Sequence, residues 1–212
     1  MLRISVTTLE QFRRLFHTDY ANETELIASV RREPFAPSWQ MIAGSAWDWC
    51  VQFDSGHLAK DGYYFDAVAR DHARKAIGKG LYQVKQTVEV DTKFGPVTLV
   101  GVADQINGLV IHDHKACFSA PNAGNYDHSL QWRFYLWMFG GKRFQYNLFD
   151  FKEPKKNGYC ELDGIISFSL WPYDRMREDC MRWLTEFLAW SESRNLMKYL
   201  ESPYAPRKMT SP

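Results

Sequence analysis

The 212-residue sequence has no excess of either charge: 26 Lys and Arg stand against 25 Asp and Glu, a formal net of +1. A general nucleic-acid coat protein is usually basic, so any nucleic-acid contact here needs its positive charge concentrated locally, as along a cleft. Long apolar runs are missing too. Stretches such as Leu162 to Trp171 are interrupted by polar residues, and no membrane-spanning helix is expected. The opening Met-Leu-Arg-Ile-Ser carries no apolar h-region, so no secretory leader is expected. Four cysteines, Cys50, Cys117, Cys160 and Cys180, are scattered without paired spacing, which excludes a zinc motif or a disulfide framework. A reducing, cytoplasmic setting is the expectation. Repeats are absent, as is any linker long enough to separate a pair of domains. What the chain does have is 16% aromatic and 45% hydrophobic residues. That excludes disorder as the dominant state and suffices for a core without metal or disulfide staples. One domain is expected over 1–201, with a helical N-terminal segment over about 1–60 and a flexible tail over 202–212.

The first third has helical periodicity. Thr7-Thr8-Leu9-Glu10 has the form of a capping box, with Thr7 as N-cap and Glu10 reaching back. Leu9, Phe12, Leu15 and Phe16 follow at helical spacing. A second helix starts after Asn22, and a third runs from about Ser38 to Phe53 with Gly44 inside it. The middle changes period. Leu81–Val90, Val97–Ile106 and Leu109–Lys115 are predicted strands, the last two joined at Asn107-Gly108, the strongest hairpin signal in the chain. A helix over about Asp127–Phe139 is apolar on most sides and is expected to be buried. Strands over Phe144–Phe151 and Tyr159–Leu170 follow, then a long amphipathic helix over about Tyr173–Leu200. Its inner stripe is Met176, Cys180, Trp183, Leu184, Phe187 and Leu188.

The Asn107-Gly108 turn, taken as a two-residue loop, pairs Ile106 with Leu109, Asp104 with Ile111 and Val102 with Asp113. Val102, Asp104, Ile111, Asp113 and Lys115 then project from one side of the sheet. Asp104 and Asp113 become diagonal neighbours, with Cα atoms roughly 7–8 Å apart. Two carboxylates so close in a low dielectric repel each other and would raise their pKa values. A hard divalent cation removes the repulsion, and a lysine on the same face helps. The alternative is a solvated sheet face on which Asp113 and Lys115 form an exposed ion pair of little energetic value.

Gly101-Val102-Ala103-Asp104 followed by Ile111-His112-Asp113-His114-Lys115 resembles motifs II and III of the PD-(D/E)XK nuclease superfamily. Gln131-Trp132-Arg133-Phe134-Tyr135 resembles the Q-x-x-x-Y motif of its RecB-like, phage-type exonuclease branch. Ile4-Ser5 before a helix, and Gly44-Ser45-Ala46-Trp47-Asp48, are similar to that branch as well. The resemblance runs from near residue 4 to about 170. It implies an α/β fold with a central mixed β-sheet flanked by helices, a restriction-endonuclease-like core. It also implies a metal-dependent DNA nuclease, more an exonuclease than a sequence-specific endonuclease, in recombination, repair or phage DNA processing. Asp104 and Asp113 would hold Mg²⁺, with Mn²⁺ able to substitute, and the backbone carbonyl of His114 would add a ligand. Lys115 would be the catalytic lysine. Gln131 and Tyr135 lie at i, i+4 on one helix face and would contact DNA or buttress the metal site; the alternative has Tyr135 in the core and Gln131 at a strand edge. DNA is the expected partner, with a homo-oligomer or a recombination partner protein left open. A catalytically degenerate nucleic-acid- or protein-binding module on the same fold is the rival reading.

The chain departs from the branch in two places. Where RecB-like nucleases commonly carry His in the first helix, and related exonucleases Glu, it has Asp48, either a shorter-reaching metal ligand or a plain surface residue. His57, one or two turns later, is the other candidate for that role, against an ordinary structural or exposed histidine. Some branch members hold a [4Fe–4S] cluster through one early and three late cysteines. With Cys160 and Cys180 the only late ones, no iron–sulfur cluster is expected. Arg133 either forms a salt bridge or reaches a phosphate. Lys142, Arg143, Lys152, Lys155 and Lys156 track a phosphate backbone or belong to a solvated turn. Trp39, Trp47 and Trp49 are expected in the core rather than stacked on bases.

Overall fold

A computed structural model of the chain describes residues 1–17, 22–53 and 59–201. The tail expected over 202–212 and the candidate His57 lie outside the described residues. In chain order the elements are β1 (Leu2–Ser5), α1 (Val6–His17), α2 (Glu23–Val30), α3 (Trp39–Gln52), β2 (Ala59–Lys60), β3 (Tyr63–Phe65) and α4 (Ala67–Ile77). There follow β4 (Leu81–Thr92), β5 (Gly95–Asn107), β6 (Val110–Cys117), α5 (Gly124–Asp127) and α6 (Leu130–Phe139). The last are β7 (Arg143–Phe151), β8 (Tyr159–Cys160), β9 (Leu162–Leu170), α7 (Met176–Ser193) and α8 (Met197–Leu200).

Six strands make a mixed central sheet in the order β1-β5-β6-β7-β9, with β4 also paired to β5; β2, β3 and β8 form a small second sheet. β5 gives one edge to β4 from Leu81↔Ile106 to Thr92↔Gly95. Its other edge is shared. Val97 to Val100 pair in parallel with β1, and Gln105 to Asn107 pair antiparallel with β6. Residues 101–104 are left between two diverging partners, so the sheet forks there.

Helices cover both faces. α1, α6 and α7 pack on one side around Phe12, Leu99, Ile111, Phe134, Tyr146 and Phe187. α3 and α4 cover the other, where Trp47 is enclosed by Phe65, Phe149 and Phe151. α6 is buried nearly all round, as its composition predicts, because it lies between the sheet and the α1–α7 pair. The long α7 buries Met176, Cys180, Leu184, Phe187 and Leu188, while Trp183 only packs against the rim of that core.

Three local expectations change. The region over 1–60 holds α1, α2 and α3, yet the chain starts with a strand, β1, built into the main sheet. Ser5, not Thr7, caps α1: its hydroxyl accepts the Thr8 N–H at 3.0 Å, which leaves Glu10 free for another task. The β5–β6 turn pairs Asn107 with Val110, so Gly108 and Leu109 are its central residues. Gly108, with φ +58°, takes the first central position, as a type II′ turn requires. The register therefore slides by two residues from the Ile106–Leu109 pairing. A slide of two keeps every β6 side chain on its expected face and moves Asp113 from diagonal to directly opposite Asp104.

Candidate active site

Asp104 and Asp113 meet where the sheet forks, close enough for each carboxyl to shift the other. Asp113 is 1% exposed, and its Oδ1 accepts from Lys115 Nζ at 2.7 Å. Asp104 Oδ2 accepts the backbone N–H of His114 at 2.9 Å. A residue in an extended strand points its N–H and C=O toward the same edge, so the His114 carbonyl faces the fork as well. The Lys115 side chain, 33% exposed, runs from buried Asp113 toward solvent.

The electrostatics separate the two acids. Burial disfavours charge on both. At Asp104 the Lys115 ammonium, the Asp113 carboxyl and the His114 N–H outweigh burial and hold its carboxyl below the usual range. At Asp113 burial and the Asp104 charge prevail over Lys115, and its pKa is raised well above the ordinary value. The two pKa values are thus pushed apart, as expected for like charges in one low-dielectric site. Lys115 is buried in part, but Asp113 and Asp104 raise its pKa, so it is a permanent cation. Asp48, on α3, comes close enough to interact with both groups. Burial and the charge of Asp104, opposed by Lys115, lift its pKa to about 7.

Gln131 and Tyr135 reach the site from α6. Gln131 Nε2 donates to Tyr135 Oη at 3.4 Å. The Tyr135 ring approaches β5 closely because residue 101 is glycine: an added Cβ there would sit 3.0 Å from Tyr135 Cε1. Burial, with the charges of Asp113 and Asp104, pushes the Tyr135 hydroxyl up to about 12, so it stays a proton donor. α6 is itself aimed by a residue whose sequence context suggests a cap of its own helix. Glu10 of α1 is 6% exposed; its Oε2 accepts from Leu130 N at 2.8 Å and Ser129 Oγ at 3.1 Å. Its Oε1 meets Arg13 Nη2 at 2.8 Å. A carboxylate at the positive end of a helix complements the helix dipole. Tyr146 is a second residue that local sequence does not single out. It pairs with Asp113 across the parallel β6–β7 ladder, and among the described residues its buried hydroxyl, like Asp113 Oδ2, finds no hydrogen-bond partner. Only the tertiary register reveals it.

Behind β6 the alternate side chains form a polar network. Asn147 Nδ2 donates to Nδ1 of both His112 and His114, at 3.4 and 3.3 Å, and its Oδ1 accepts from Ser167 Oγ at 2.7 Å. With its Nδ1 accepting, His114 carries its proton on Nε2 and donates to Gln105 Oε1 at 3.2 Å. Burial, helped by His112 and Lys115 against Asp104, lowers the His114 pKa to about 4, so the ring is neutral.

Other candidates fall elsewhere. Among the described residues Arg133 forms no salt bridge; it donates to the carbonyls of Asp127, His128 and Ser129 and lies over the Trp132 ring. Lys152 and Lys155 are tied to Glu161 in a surface turn. Trp47 is core, as expected, whereas Trp39 is 37% exposed and packs on Phe118.

The donor set fits a hard divalent cation. Two carboxylates and a backbone carbonyl face the fork, the buried Asp113 Oδ2 has no hydrogen-bond partner among the described residues, and the charge of one acid disfavours ionisation of the other. Among the described residues no three His, Cys, Asp or Glu side chains form a ready-made cluster. A cation there would complete its shell with water and phosphate, as Mg²⁺ commonly does.

No family profile and no curated protein matches the sequence. Solved structures do match the fold. The structure of SSO0001 aligns at TM-score 0.50 with 13% identity, covering 91% of this chain and 78% of that one. The alkaline exonuclease LHK-Exo of Laribacter hongkongensis, in complex with dAMP, aligns at 0.52 with 12% identity, covering 93% and 91%. The chain shares its fold with these proteins, one of them an alkaline exonuclease. No described helix is long and apolar enough to cross a membrane.

One consequence of the Asp48 environment is measurable in the metal-free protein. An acid whose folded pKa is raised binds more protons folded than unfolded, so stability falls as pH rises from about 4 to about 7. Asp48→Asn is therefore expected to raise the melting temperature at pH 8 and leave it nearly unchanged at pH 4. Equal shifts at both pH values, by calorimetry in chelator, would contradict the assigned environment.

Proposed function

We propose that the chain is a metal-dependent DNA nuclease, with exonuclease action the reading preferred. The observation that carries this is the buried Asp113 facing the half-buried Asp104 beside Lys115 in the fork of a nuclease-type sheet. Asp104, Asp113 and the His114 carbonyl are the proposed holders of Mg²⁺ or Mn²⁺, with Asp48 adding a contact directly or through water. When bound, the cation supplies a Lewis acid for a phosphate oxygen and lowers the pKa of a coordinated water. Lys115, fixed as a cation, orients that water for in-line attack and offsets the charge that develops on the phosphate. Tyr135, braced by Gln131, offers a hydroxyl donor from the α6 side. Asp113 must release its proton to serve as a ligand, so binding should be tighter at pH 8 than at pH 6, with proton release. The dAMP complex of the exonuclease with this fold favours DNA over other phosphodiesters. A role in recombination, repair or phage DNA processing fits such an activity.

Digestion of end-labelled linear, circular and single-stranded DNA with Mg²⁺, Mn²⁺ or chelator tests the proposal. Loss of label from linear DNA, with circles spared and chelator blocking, is the expected result. Cutting of circles would make it an endonuclease. No cleavage of any form with either metal would favour the degenerate binding module.

A further inference from the structure

β4 contains an anomaly opposite the site. Gln83 has φ +51°, a left-handed conformation, in the middle of a twelve-residue strand. A non-glycine residue in that conformation is strained and persists only where the surroundings require it. The β4–β5 ladder holds on both sides, with Tyr82↔Gln105 and Val84↔Ala103, and omits only the step between them. The β5 residue at that step is Asp104.

The side-chain alternation of β5 changes at the same point. Gly101 lies against Tyr135 and Met138 of α6, and Ala103 belongs to that same core. Two residues further, Gln105 should share their face. Instead its side chain meets His114 on the far side, while Ile106 joins Ile111 on the α6 side. The expectation that Val102 and Asp104 share the face of Ile111 therefore fails upstream of the fork, and Val102 is exposed. The strand rolls by one side-chain step at Asp104. That roll leaves the Asp104 carboxylate in the plane of the fork, where it accepts the His114 N–H. Bulges and kinks beside active sites re-aim side chains in this way.

We propose that Gln83 is a positioning residue: its left-handed backbone lets β5 roll and turns Asp104 into the fork. Its exposed side chain is not what matters; its backbone is. The functional side of this inference rests on the metal site proposed above. Glycine accepts this conformation freely, alanine less so, and a β-branched residue is a genuine outlier there.

The test compares Gln83→Gly with Gln83→Val, reading hydrogen exchange at the His114 amide and Mn²⁺ affinity by calorimetry. Gln83→Gly should match the wild type in both, with equal or higher melting temperature. Gln83→Val should speed His114 exchange about tenfold or more and weaken Mn²⁺ binding about tenfold, with β7 amides still protected. If Gln83→Val does not fold, Gln83→Ala replaces it, with smaller changes in the same direction. Valine (or alanine) and glycine variants that agree in both readouts overturn the proposal. Wild-type protein that binds no Mn²⁺ defeats the metal-site reading instead, and His114 exchange then decides the role of Gln83 alone.

Discussion

Asp113→Ala is expected to remove DNA cleavage, lowering kcat/KM by roughly 10³-fold or more, and to leave the protein folded. Loss of one preorganised electrostatic donor costs roughly 10²–10³ in rate, and a ligand of the metal that activates the nucleophile should cost more. Stability follows a different rule. Asp113 is buried with an oxygen unpartnered among the described residues and a raised pKa, so in metal-free protein its ionised form is unfavourable near neutral pH. Lys115 loses its nearest partner, but with a third of its side chain exposed it can turn to solvent. The melting temperature in chelator should therefore stay level or rise at pH 8. Asp104→Ala should be similarly inactive, and Lys115→Ala should lose roughly 10²–10³ in rate. Steady-state assays with end-labelled DNA, paired with thermal melts, check each variant. Cleavage by Asp113→Ala at the wild-type rate would sink the site.

The second large effect falls on stability. Glu10→Ala should cost about 3–5 kcal/mol, because it strands the 5%-exposed Arg13 and leaves the start of α6 uncapped. For a chain of this size that lowers the melting temperature by roughly 6–20 °C. The Arg13 guanidinium, with Arg14 and the Leu130 N–H, outweighs burial and holds the Glu10 carboxyl below its usual range. Its contribution is therefore present above the ordinary glutamate pKa and is lost as pH falls through the folded value. The wild-type advantage over Glu10→Ala should shrink in acid. Replacing both partners, as Glu10→Leu with Arg13→Met, should recover most of the loss. A single-variant loss under about 1 kcal/mol would show that the pair does not hold α6 in place.

What is legible in the sequence is what local pattern governs. The strands β4, β5 and β6, the capped helices α2 and α3, and the buried α6 follow from periodicity and end signals. Asp113 and Lys115 keep their expected face on β6 despite the wrong turn assignment, since an error of two residues preserves faces; Asp104 does not, because β5 rolls there. α4 escapes the periodicity reading although its signals are present, with Asp66 as N-cap and Gly78 just past its end. What stays hidden is set by tertiary register. Nothing local marks Glu10 as the cap of another helix, Tyr146 as the neighbour of Asp113, or Gln83 as the hinge of a strand roll. Each depends on which distant segment arrives beside it.

The parallel pairing of β1 with β5 has a kinetic corollary. Leu2 and Val97 lie about 95 positions apart, yet they are ladder partners. At ribosomal speeds of about 5–20 residues per second, the opening strand waits roughly 5–20 s before its docking partner is even synthesised. Closing so long a loop is entropically slow, so seating of this strand should be a late event in maturation. The nascent chain must keep a short hydrophobic β-segment from sticking elsewhere until then.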